Sequence, residues 1–104
     1  MPEWKANDRY GNEIYLTEER WLHIVEFHPP LREHLKDVLA TIRNGRRRQM
    51  TRQPNKFRYT RRCESLSGSF NAIIVIVLFR FRPSSDIKTT PNNYVVTAWP
   101  TILQ

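Results

Sequence analysis

Three glycines in 104 residues, one cysteine and no apolar run beyond eight residues exclude several classes of protein. So few glycines, none of them grouped, cannot build the glycine-rich loop that cradles nucleotide phosphates. Cys63 stands alone, so no internal disulfide can form. The longest apolar run, 72–79, falls far short of the roughly 20 residues a membrane helix needs. Neither an amphipathic basic helix nor a lipidation motif is present, and no membrane partner is expected. The opening Met-Pro-Glu-Trp-Lys has no apolar signal core, and with the single cysteine this leads to an expectation of cytoplasmic residence. Three histidines and the cysteine fall at no familiar ligand spacing, and no paired Asp/Glu cluster accompanies the basic half, so neither a metal nor a cofactor is expected.

Acid is scarce too, but only in one half. Residues 1–42 carry five basic and eight acidic side chains, and residues 43–104 carry twelve basic and two acidic ones. Between Arg43 and Arg62 there are nine basic residues and no acid, and eight of the nine are arginine. A guanidinium presents a planar fork of donors that matches phosphate oxygens. The run therefore reads as a polyanion-binding stretch, with Arg46, Arg47, Arg48, Arg52, Lys56, Arg58 and Arg62 as candidate RNA contacts.

What is present is enough for one small core: apolar residues make up 39% of the chain and charged residues 26%, which speaks against disorder and for a single domain over 1–104. Residues 1–11 read as an arm, closing in a turn around Gly11-Asn12, and 13–16 as a short strand or extended lead-in. Thr17 is a good N-cap for a helix that must stop near His28, because Pro29-Pro30 cannot continue it. Leu31, Leu35, Val38, Leu39 and Ile42 follow helical spacing, which predicts a second helix from Pro30 or Leu31 to Asn44-Gly45. The period then changes to two. Arg46–Thr51 predicts an edge strand, Lys56–Cys63 an alternating strand, Ala72–Phe79 a central strand covered on both faces, and Tyr94–Trp99 a last strand ended by Pro100. Residues 64–69 and 83–93 read as loops. The expected fold is α+β: two N-terminal helices packed on a four-stranded antiparallel sheet, with 1–11 as arm, 17–44 as helical part and 46–99 as sheet. The face away from the helices, and the edge near 46–62, should be basic.

Beside that surface lie His23, His28 and His34. Metal-free RNA cleavage needs a base for the 2′-hydroxyl, an acid for the leaving 5′-oxygen and cations for the phosphorane charge. Histidine titrates near neutrality and can serve as either acid or base. His28 equally suits a helix C-cap, His23 an inert surface position, and His34, bordering the apolar stripe, reads as structural. Phe57 and Tyr59 alternate as core residues would, with stacking on unpaired bases as the other reading. Arg58 and Arg61 fall on opposite faces of their strand.

Asp8-Arg9-Tyr10-Gly11-Asn12-Glu13-Ile14, Leu16-Thr17-x-Glu19-Arg20-Trp21-x-His23-Ile24, His28-Pro29, Tyr59-x-Arg61, the Ile/Val-rich strand and Val96-Thr97-Ala98-Trp99 together resemble small bacterial and phage members of the barnase–EndoU–colicin–RelE-like nuclease superfamily. The resemblance spans roughly residues 8–99, and Trp-x-His-Ile…His-Pro is its most specific part. It implies the RelE/barnase-like form of the fold above and a metal-independent endoribonuclease, toxin-like and held by an acidic antitoxin protein. RNA, free or on the ribosome, is the expected partner. By position it marks His23, His28, Tyr59, Arg61 and Thr97 as catalytic candidates. The chain departs from these relatives at Pro30, where they often carry Glu. Two other readings use the same basic face without catalysis: an RNA-binding module and a protein-interaction module.

Overall fold

The structure is a computed structural model that describes the backbone of residues 3–83 and 89–104, and the side chains of 3–80 and 92–104. It is α+β, with six strands in one mixed sheet. In chain order the elements are β1 (Glu3–Asn7), β2 (Glu13–Thr17), α1 (Glu18–Phe27), a 3₁₀ turn (Pro29–Leu31), α2 (Leu35–Asn44), β3 (Arg46–Gln49), β4 (Lys56–Arg62), β5 (Ala72–Leu78), β6 (Phe81–Pro83), β7 (Thr89–Pro91) and β8 (Asn93–Thr101). The sheet order is β1-β2-β8-β5-β4-β3, and β6 and β7 pair separately as a small antiparallel ribbon.

The expected antiparallel set is present as β8-β5-β4-β3, but it is not the whole sheet and the helices are not N-terminal to all of it. Residues 3–7, expected as an arm, form an edge strand antiparallel to β2. β2 in turn joins β8 in parallel at Ile14↔Asn93 and Tyr15↔Tyr94, which makes the sheet mixed and six-stranded. The stretch expected as a loop over 83–93 contains β7 and the start of β8, and its residues 84–88 lie outside the described residues. Pro100 does not end the last strand. It lies within β8 opposite Ile73, on a stretch whose outer edge has no strand partner among the described residues, where a missing N–H breaks no ladder bond.

Local chemistry accounts for the helices. Thr17 is extended, and its Oγ1 accepts the Arg20 N–H at 3.1 Å, while Glu18 and Glu19 sit in the first turn of α1. The diproline itself forms part of a 3₁₀ turn, so α2 begins at Leu35 rather than at Pro30 or Leu31. Gly45 ends α2 without a left-handed backbone (φ −72°). It is needed for space: a Cβ there would lie 2.3 Å from Thr41 O and 2.9 Å from Thr60 O.

One core lies between the helices and one sheet face. Ile24, Leu31, Val38, Leu39 and Ile42 meet Ile14, Leu16, Tyr59, Ile73, Val75, Val77, Val95 and Ala98. β5 is buried along nearly its whole length, as its continuous apolar run predicts. Its alternate residues Ile74 and Ile76 belong to the opposite face, called the open face below; they are buried too, but lie outside the cluster packed against the helices.

Candidate active site

The functional geometry starts from an irregularity in β8. Its pairing with β5 runs Thr97↔Ile76 and then Val95↔Val77, so Val96 is a bulged residue. Strict alternation would turn Thr97 to the same side as buried Val95. The bulge instead turns Thr97 and Trp99 to the open face with Ile76 and Ile74. β2 stops accompanying β8 after Tyr94, and α1 lies against the strand there.

His23 and His28 both reach the resulting cleft between α1 and β8. On a helical wheel the two are well separated, but His28 has already left the helix. Its backbone is at φ −134°, ψ 71°, and its N–H closes α1 on Ile24 O at 2.8 Å. A cleft of about 430 Å³ is lined by Arg20, His23, Ile24, Phe27, His28, Val96 and Thr97. The His23 ring meets Phe27 edge-on, with centroids 4.9 Å apart. Two imidazoles, one guanidinium and one hydroxyl therefore share one water-accessible hollow.

The strand register links this hollow to the basic surface. Arg48 pairs with Arg58, Arg58 with Ile76, and Ile76 with Thr97. Directly paired residues share a face, so one row crosses the open face from the β3 edge to the cleft. At about 4.8 Å per strand it is roughly 14 Å long. The next row is Arg46–Thr60–Ile74–Trp99, and Lys56 and Arg62 stand at the same face of β4. Arg46, Arg48, Arg58 and Arg62 are exposed, Lys56 is half-buried, and Arg52 is exposed in the turn after β3.

Arg47, Tyr59 and Arg61 lie on the helix side. Tyr59 is fully buried and donates its hydroxyl to Asp8 Oδ2 at 2.5 Å. Burial, and then the Asp8 partner, push its phenol far above the ordinary range. Burial alone would raise Asp8, but hydrogen bonds from Tyr59, Asn12 and Tyr10 outweigh it and hold the carboxyl below its usual value of 3.8. Arg47 Nη1 stands 3.6 Å from that carboxylate, and its guanidinium lies over the rings of Tyr10 (4.2 Å) and Phe57 (4.4 Å). Arg61 donates to Asp37 Oδ1 at 3.1 Å, and the other Asp37 oxygen meets His34 Nδ1 at 2.9 Å. The His34 hydrogen bond, ahead of opposing burial, holds the Asp37 carboxyl low, with Arg61 adding to it. The fold thus brings His23, His28 and Thr97 together and leaves Tyr59 and Arg61 outside the cleft.

A larger pocket, about 630 Å³, is lined by Arg9, Arg46, Arg61, Arg62, Asn44 and Thr60. Leu103 and Gln104 complete its lining, which has cationic side chains but no imidazole and no Asp or Glu, so it can hold an anion without offering the side-chain acid and base of the cleft. Two residues of functional character escape the sequence reading, Arg20 and Trp99. Arg20 sits one turn before His23 and eight residues before His28, a spacing that could have been noticed. Trp99 reaches the open face only through the bulge. No family model, no curated protein and no solved structure matches the chain.

Proposed function

We propose that the chain is a metal-independent endoribonuclease whose cleft between α1 and β8 performs acid–base cleavage of RNA held on the open sheet face. The observation that carries this reading is the continuous row Arg48–Arg58–Ile76–Thr97, which leads from exposed guanidinium groups to the hollow holding two imidazoles.

In this reading one imidazole takes the 2′-hydroxyl proton as that oxygen attacks the adjacent phosphorus. The other gives a proton to the departing 5′-oxygen, leaving a 2′,3′-cyclic phosphate and a 5′-hydroxyl. Arg20 balances the added phosphorane charge, and the Thr97 hydroxyl orients a phosphate oxygen. Tyr59 has no part, because its phenol is buried and committed to Asp8. Arg61 has none either, because its guanidinium serves Asp37. The role is toxin-like, and an acidic antitoxin is the protein whose charge would cover the basic face.

The test is cleavage of end-labelled RNA in EDTA. Wild type should cut, and His23→Ala and His28→Ala should each lower the rate about 10²–10⁴-fold while remaining folded. Intact RNA at high wild-type concentration, or undiminished cleavage by both variants, rejects catalysis here. RNA bound but uncut would favour the non-catalytic binding module.

A further inference from the structure

His34 and Asp37 lie three residues apart, Cys63 lies 26 residues beyond Asp37, and the fold gathers all three. His34 precedes α2, Asp37 lies in its first turn, and Cys63 follows β4 directly. One donor atom from each lies within 4.8 Å of the other two. The geometry points to a zinc-binding site made by His34, Asp37 and Cys63, separate from the α1–β8 cleft and independent of the function proposed for it.

The donor chemistry suits that ion. Imidazole nitrogen, carboxylate oxygen and thiolate sulfur are the three ligand types zinc takes in proteins, and three protein ligands plus one water make a tetrahedral shell. Bonds of about 2.1 Å to nitrogen and oxygen at a tetrahedral angle require those atoms about 3.4 Å apart. His34 Nδ1 and Asp37 Oδ2 are 2.9 Å apart, so a shift of about half an ångström, within side-chain freedom, would admit the ion between them. Asp37 keeps its other oxygen on Arg61, the kind of outer hydrogen bond that holds a ligating carboxylate in place. The ion's two charges are matched by the Asp37 carboxylate and the Cys63 thiolate, so the set is neutral without Arg61.

Arg61 supplies a further reason. Its Nε is buried and has no hydrogen-bond partner among the described residues. Such an orphan donor is costly, and it belongs to the side chain whose Nη2 already holds Asp37. The same three residues could be imagined as a Cys–His–Asp nucleophile. Cys63 is only 5% exposed, however, and a substrate carbonyl cannot reach it. A small ion can, through half-buried His34 and Asp37.

The experiment uses Co²⁺ and Zn²⁺ as probes on the reduced, chelator-stripped full chain. One equivalent of Co²⁺ should produce tetrahedral ligand-field bands and a near-ultraviolet thiolate charge-transfer band, displaced by one equivalent of Zn²⁺. Cys63→Ser should lose the charge-transfer band, and His34→Asn should weaken binding at least ten-fold. Zinc at 100 times its Kd should raise the wild-type Tm by about 10–20 °C. Circular dichroism establishes that each variant is folded, and His34→Asn decides the matter if Cys63→Ser is not. Absence of saturable one-to-one binding, a charge-transfer band that survives in folded Cys63→Ser, or His34→Asn binding as tightly as wild type would each overturn the proposal.

Discussion

Tyr59 is buried in the core, and its hydroxyl is donated to the Asp8 carboxylate. Its alternation with Phe57 already placed it in the core, while its position beside Arg61 suggested chemistry. The structure pairs its hydroxyl with Asp8, which lies 51 residues away in a turn that the sequence could describe only locally. Because the phenol satisfies a buried carboxylate, Tyr59→Phe should cost about 1–3 kcal/mol, measured by urea unfolding at pH 7. The pH dependence follows from Asp8. Its folded pKa lies below the ordinary 3.8, so its stabilisation is present above that value and is lost as pH falls through the lower folded value. Wild-type stability should therefore decline below about pH 4, with Asp37 contributing in the same direction. Asp8→Asn should be less stable at pH 7 and show a shallower acid limb. An Asp8→Asn acid limb as steep as that of wild type would reject this account.

The helical and strand elements were legible wherever local chemistry sets them. The Thr17 cap, the diproline stop, the α2 stripe and the alternation of β4 all appear as read. What failed were features set by contacts between elements. α2 starts four or five residues late because the diproline is absorbed in a 3₁₀ turn. The bulge at Val96 reverses the facing of Thr97 and Trp99, and no local pattern announces it. Gly45 looked like an ordinary helix-ending glycine, yet its reason lies in close packing of α2 on β4. Both obstructing atoms are backbone oxygens and cannot rotate away. Gly45→Ala should thus cost about 3 kcal/mol or more, seen as a fall in Tm of at least about 10 °C. A Gly45→Ala protein of unchanged Tm would show that the helix end moves freely against the sheet.

On the scale of the whole molecule, the parallel pairing of β2 with β8 joins segments nearly 80 residues apart. Periodicity cannot reveal such a contact, so the sheet was read as four strands rather than six. The basic half was legible as charge but not as surface. Of its arginines, Arg46, Arg48, Arg58 and Arg62 stand exposed on the open-face strands, whereas Arg47 is held between aromatic rings and a buried carboxylate. That division makes RNA binding a sharp test of the proposed surface. Each phosphate neutralised on a single strand contributes about −0.7 to the slope of log K against log salt, so four exposed guanidinium groups should give a slope near −3. Fluorescence anisotropy with a labelled RNA and the His23→Ala protein would measure it. Arg48→Ala and Arg58→Ala should each reduce the slope by about 0.7 with little change in Tm. Arg47→Ala should leave the slope intact and lower the Tm, because its guanidinium is spent on Tyr10, Phe57 and Asp8. If instead Arg47→Ala changes the slope and Arg58→Ala does not, the polyanion lies on the helix side of the sheet and the row leading to Thr97 is not its path.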